Sequence, residues 1–216
     1  MSSVVIAGDT SGSVTLSAPA VAGSTVLTLP AVSGTVITTA TGQTLTSPVI
    51  AGTPTGVGVL TSGTAVASTS GTTIDFTGIP SWAKRITVMF NGVSTNGASI
   101  VQVQIGAGSV STSSYFSTAS FGTGVGQYLY ATSGFITEAG NAATAVILRY
   151  GIVQIVLIGS NTWCFSGNIS SGANGQVTSA NAGTSPALSG VLDRVRITTV
   201  NGTDTFDAGS INIMYE

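Results

Sequence analysis

Histidine is absent from this 216-residue chain, cysteine occurs once, and charge is scarce, with Lys, Arg, Asp and Glu making up 6% of residues against roughly 25% in an average soluble domain. Each shortage excludes a chemistry. Without histidine there is no Ser-His-Asp or Cys-His constellation, no HExxH zinc site and no imidazole proton shuttle. The lone Cys164 forms neither an internal disulfide nor a multi-thiolate metal centre, and no cofactor is expected. A net charge of −2 leaves no basic surface to hold phosphates, so no nucleic-acid partner is expected either.

Low charge in an apolar chain raises the questions of disorder and of membrane insertion. Disordered chains are poor in apolar residues and rich in net charge, whereas 43% of this one is hydrophobic. The best membrane candidate, residues 142–159, carries Arg149 at its centre with Gly151 and Gln154 close behind, where a spanning helix needs about 20 mostly apolar residues. It reads as two strands and a turn. The first ten residues contain no Lys or Arg, and the first positive charge is Lys84. The charged n-region of a secretory signal is thus missing, which points to synthesis and folding in a cytoplasm.

What is present divides near residue 73. Residues 1–72 contain no aromatic side chain and one charge, Asp9, while every aromatic and every other charge lies beyond. This first part is made of Ser, Thr, Gly, Ala and Val, and it repeats: Pro19-Ala20-Val21-Ala22-Gly23 returns as Pro30-Ala31-Val32-Ser33-Gly34, and Val5-Ile6-Ala7-Gly8 as Val49-Ile50-Ala51-Gly52. Alternating runs such as Ser13-Val14-Thr15-Leu16-Ser17 between Pro and Gly read as brief strands joined by turns. Small side chains contribute little at about 25 cal/mol per Å², while ordering each residue costs roughly 1–2 kcal/mol. A lone copy should therefore not hold a core. If identical copies wrap round a common axis, Val14, Leu16, Val26, Leu27, Leu29, Val36 and Ile37 meet as a shared one, which predicts an intertwined trimeric stalk. Draping over another protein, or a flexible linker, are the competing readings.

Residues 73–216 read as one compact all-β domain, an antiparallel β-sandwich of jelly-roll type with eight to ten strands. Period-two alternation is plain in Arg85-Ile86-Thr87-Val88-Met89-Phe90, Val101-Gln102-Val103-Gln104-Ile105, Arg194-Val195-Arg196-Ile197-Thr198 and Ile211-Asn212-Ile213-Met214-Tyr215. Further strands are expected at 127–132, 144–149, 152–159 and 161–169. Asn91-Gly92, Asn96-Gly97, Asn174-Gly175 and Asn201-Gly202 are expected at tight turns.

Few residues offer chemistry. A glycosidase needs two carboxylates roughly 5–10 Å apart, and Asp204 and Asp207 form the only close pair among Asp75, Glu138, Asp193, Asp204 and Asp207. Their bland reading is a turn in which each side chain bonds local amides. A Ca²⁺ site needs six to eight oxygen ligands, and no spaced run supplies them. Alternation sends Arg194 and Arg196 to one side of a strand and Asp193 to the other, a solvated sheet face or pairing across a subunit interface. Trp163-Cys164-Phe165 reads as core, with Cys164 a small hydrophobe. Tyr115 and Phe116 lie in a Ser- and Gly-rich stretch expected to be an exposed loop, where tyrosines suit recognition. Tyr128 and Tyr130 share one strand face, with packing inside the sandwich favoured over display. These four are the receptor-binding candidates.

Phe76-Thr77-Gly78-Ile79-Pro80-Ser81-Trp82 followed by Lys84-Arg85-Ile86-Thr87, and the ending Asp207-Ala208-Gly209-Ser210-Ile211-Asn212-Ile213-Met214-Tyr215-Glu216, resemble the carboxy-terminal domains of tailed-bacteriophage tail-fibre and virion appendage proteins. The opening from Ser13 to Val36 is similar to their repeated shaft or attachment segments. The resemblance implies a homotrimeric virion component that attaches to other virion proteins through its amino-terminal part and displays a β domain outward. It carries no catalytic residues, and it implies a non-enzymatic role in host attachment through a bacterial surface glycan or protein. A capsid decoration or head-fibre protein with a purely architectural role is the alternative, and a capsular polysaccharide depolymerase using Asp204, Asp207 or Glu138 the third reading.

Overall fold

The computed structural model describes residues 3–7, 10, 13–17, 60–121, 127–139, 147–172 and 177–216. The chain forms two units, Met1–Ala51 and Gly52–Glu216. In the first, β1 (Ser3–Ala7) and β2 (Ser13–Ser17) pair antiparallel, with Ser3 opposite Ser17 and Ala7 opposite Ser13. Val14 and Leu16 lie in β2, opposite Ile6 and Val4. The remaining stalk-core candidates, Val26, Leu27, Leu29, Val36 and Ile37, lie outside the described residues.

In the second unit the regular elements among the described residues are all strands, with no helix. In chain order these are β3 (Thr61–Ser62), β4 (Val66–Ala67), β5 (Thr73–Thr77), β6 (Arg85–Thr95), β7 (Val101–Ala107), β8 (Ser109–Val110) and β9 (Phe116–Phe121). There follow β10 (Gln127–Ala131), β11 (Phe135–Ile136), β12 (Leu148–Gly159), β13 (Thr162–Gly172), β14 (Val177–Thr184), β15 (Arg194–Thr199) and β16 (Phe206–Tyr215). The larger sheet runs β10-β9-β14-β13-β12-β6-β16, with β3 and β4 both on the far edge of β16; the smaller runs β11-β7-β15-β5, with β8 on β7. All pairings are antiparallel.

Alternation explains the core directly. Ile86, Val88 and Phe90 of β6, Val153 and Ile155 of β12, and Ile211 and Ile213 of β16 turn inward from the larger sheet. Val101, Val103 and Ile105 of β7 with Val195 and Ile197 of β15 meet them from the smaller. Phe135 of β11 stacks on Phe165 of β13 with ring centroids 4.6 Å apart, joining the layers. Two antiparallel sheets thus share one apolar core, the arrangement of a β-sandwich.

Four details differ from the sequence reading. Strand pairing begins before the composition break: β3 and β4 add to β16, and Ser68, fully buried, donates its hydroxyl to the Ala208 carbonyl at 2.8 Å. Residues 148–159 form one strand, because Gly151, at φ +139°, sits within β12 and continues the ladder with no turn. The turn comes later, at Ser160 and Asn161, whose φ angles of 48° and 57° give the two left-handed central positions that a tight hairpin requires. Asn91-Gly92 lies inside β6, at a bulge: Gly92 has φ +66°, and a Cβ on Gly209 of neighbouring β16 would lie 2.3 Å from its carbonyl oxygen. Two backbones that close admit only glycine.

Candidate functional site

The aromatic candidates separate. Tyr115 is buried, not displayed on a loop. Its hydroxyl accepts from the Ile105 N–H at 2.9 Å and lies 3.2 and 3.1 Å from the Ile105 and Ser111 carbonyls, to which it donates. Ile105 falls on the edge of β7 between the residues paired with β11 and those paired with β8, so the phenol serves backbone groups that no strand reaches. Burial pushes its pKa up to about 12, the hydrogen bonds opposing the shift. Tyr115 is thereby removed as a receptor contact. Phe116, the first residue of β9, points outward and is 56% exposed. It meets Tyr130 edge to face at 5.3 Å. Tyr130 is 55% exposed, so it is not packed inside the sandwich. Tyr128 lies in β10 opposite Ser120, and its side chain is outside the described part.

The acidic candidates do not converge. Asp204 accepts from the Asn201 amide at 2.6 Å and from the Ser99 N–H at 2.8 Å. Gly97 makes room for it, since a Cβ there would lie 2.1 Å from the carboxylate. Asp207 accepts from the Ser94 hydroxyl. Glu138 is fully buried in an ion pair with Arg149, whose Nε lies 2.8 and 2.9 Å from its two oxygens and whose Nη2 is 2.6 Å from Oε1. Cys164 alternates away from the buried Trp163 and Phe165 and is half-buried on the outer face, which corrects its reading as core. Among the described residues no three His, Cys, Asp or Glu side chains group as metal ligands.

The smaller sheet's outer face carries a different feature. Gln102 and Gln104 of β7 and Arg196 and Thr198 of β15 line a groove of about 350 Å³, bounded by Thr73, Thr112, Ser133 and Asn201. That volume falls at the lower end of the range typical of small-ligand sites, about 300–1,000 Å³. Its floor is fixed: Ser133 donates its hydroxyl to Gln102 Oε1 at 2.8 Å, and Gln104 Nε2 donates to the Ser133 carbonyl at 2.8 Å. Arg196 is held by Asp75 through two bonds of 2.7 and 2.9 Å, and this contact raises the guanidinium pKa further. The pair leaves the groove without net charge. Asp193 and Arg194, expected on opposite sides, pair with each other at 2.7 Å, and that bond holds the Asp193 carboxyl below its usual range. The interface pairing weighed for the arginines therefore finds both already partnered within the chain.

The groove's lining contains amides, hydroxyls and a matched guanidinium, with no carboxylate or thiol. Such a surface donates and accepts hydrogen bonds; it supplies no nucleophile with an activating base. The signal in the sequence is the pair of glutamines on alternate positions of a Val-Gln-Val-Gln-Ile strand, which places two amides side by side on one face. Comparison with family models, curated proteins and solved structures finds no match.

Proposed function

We propose that the chain is a non-enzymatic structural component of a bacteriophage virion, a short fibre or spike that attaches by its amino-terminal segment and displays the β-sandwich for host-surface recognition. In this reading the sandwich is of jelly-roll type and the amino-terminal segment, up to the strands β3 and β4 that join the sandwich, forms an intertwined stalk in a homotrimer. The observation that carries it is the groove without net charge on the smaller sheet, floored by the buried Gln102, Gln104 and Thr198 and rimmed by the exposed Thr112 and Asn201, a surface suited to hydroxyl-bearing ligands such as a bacterial surface glycan. Two further facts support it. Val5 and Ile6 are adjacent in β1, hence on opposite faces, and are 60% and 57% exposed. Apolar side chains open on both faces of β1 suit burial against further chain, which neighbouring copies would supply. The carboxylates that a depolymerase would use, Glu138, Asp204 and Asp207, all accept structural bonds.

The test is binding of fluorescently labelled full chain to the bacterium that the particle infects. The reading expects saturable binding that falls at least tenfold in Thr112→Arg, which fills the groove from its exposed rim, with circular dichroism unchanged. Absence of binding by a verified oligomer would overturn it in favour of the decoration reading, in which particles lacking the protein adsorb normally and lose robustness.

A further inference from the structure

We infer that the outer face of the larger sheet is a contact surface between copies of this chain, an inference that rests on the assembled fibre reading above. Residues paired directly across antiparallel strands point to the same side, so the register defines this face row by row. The row through Ile152 runs from Ser120 of β9, by Ala180, Asn168 and Met89, to Asn212 of β16. The row through Gln154 runs from Tyr130 to Met214, and that through Tyr150 from Thr178 to Ser210. No residue in the described part of these three rows is charged. The absence agrees with a chain in which 6% of residues are charged, and it leaves the exposed apolar side chains to define the face. Charges stay at the ends of β6 and β16, with Arg85 and Glu216 paired at one end and Asp207 at the other.

Apolar side chains stand open along this face, with Ile152 50% and Ile158 62% exposed, and Tyr150 and Val156 beside them. Seven strands spaced about 4.8 Å apart, with some eight residues of 3.3 Å rise each, span roughly 800 Å², which is the contribution of one partner to a standard stable interface. A second copy is the occupant that the chemistry favours. A face whose one charge, Arg85 opposite Val156, is already paired with Glu216 meets its own kind with little repulsion, whereas a strongly charged partner would have to leave its counter-charges buried and unmatched. The face also presents protruding Ile152 and Ile158 together with flat Ala180, Ala182 and Ser166, so one copy carries both the projections and the shallow places that receive them. The two sides of the sandwich then divide the labour: the larger sheet packs against neighbouring copies, and the grooved sheet faces out.

Cys164, the only thiol in the chain, lies on this face opposite Val156 and reports its coverage. The experiment measures the solution mass of the full chain by light scattering and the rate of Cys164 alkylation by N-ethylmaleimide, in wild type, Ile152→Asp, Ala182→Arg and the control Val200→Asp. Expected are an oligomeric wild type and control, with alkylation at least tenfold faster in Ile152→Asp and Ala182→Arg at unchanged circular dichroism. An oligomer whose Cys164 reacts as fast in wild type as in both variants removes this placement and leaves the assembly reading standing. A monomeric wild type removes both.

Discussion

Among the described residues Glu138 and Arg149 are the one ion pair whose two side chains are entirely buried, and the consequence of breaking it can be worked out in advance. The substitution Glu138→Gln keeps shape and one acceptor oxygen but leaves the Arg149 guanidinium charged inside the sandwich. Removing one partner of such a pair costs about 3–5 kcal/mol, since the remaining charge has lost its compensation. In a domain of this size each kcal/mol moves the melting temperature by about 2–4 °C, so the expected fall is roughly 6–20 °C by scanning calorimetry at fixed chain concentration. The double variant Glu138→Leu with Arg149→Met removes both charges and should recover most of that loss, because replacing a whole buried pair by apolar groups is often neutral or stabilising. Asp75→Asn, which breaks the half-exposed pair with Arg196, serves as the internal contrast and should cost no more than about 1 kcal/mol. A drop below about 1 kcal/mol for Glu138→Gln, or a double variant no better than the single, would refute the reasoning.

Other consequences follow from single residues. Tyr115→Phe strands the Ile105 N–H and should cost about 1–3 kcal/mol, read in urea denaturation. Because burial raises the Tyr115 pKa to about 12, the unfolded chain loses this proton near pH 10 while the folded chain keeps it. The stability it contributes is therefore complete below pH 10 and falls by about 2–3 kcal/mol as pH rises to 12, a slope that should vanish in Tyr115→Phe. Gly209→Ala forces a Cβ to within 2.3 Å of the Gly92 carbonyl at φ +86° and should lower stability by more than 1 kcal/mol in the same assay.

The sheets were largely legible because their signal is local. Ile86-Val88-Phe90 and Val101-Val103-Ile105 alternate strictly, and each such set is buried in the core. The turn signals were less reliable, since Asn-Gly permits positive φ without saying whether a turn or a bulge will use it, and Gly92 sits in a bulge. Ser160 and Asn161 form the actual hairpin turn with no glycine between them, so only the strand pairing on either side reveals it. Long-range contacts were out of reach. Arg149 argued against a membrane span, but nothing local placed it against Glu138. Tyr115 and Phe116 look equivalent in a Ser-rich stretch, yet Tyr115, just before β9, is buried with its hydroxyl on Ile105 and Ser111, while Phe116 at the start of the strand is displayed. The groove was half legible: Gln102 and Gln104 announce an amide pair, whereas Ser133, Arg196 and Asn201 reach it from distant parts of the chain.

In the proposed fibre the amino-terminal segment gains its core only in company with other copies of the chain. Light scattering on purified full chain tests it most directly. A proposed homotrimer gives a single species of three times 21.3 kDa that persists on dilution to the micromolar range. A species of 21.3 kDa at every concentration tested would contradict it.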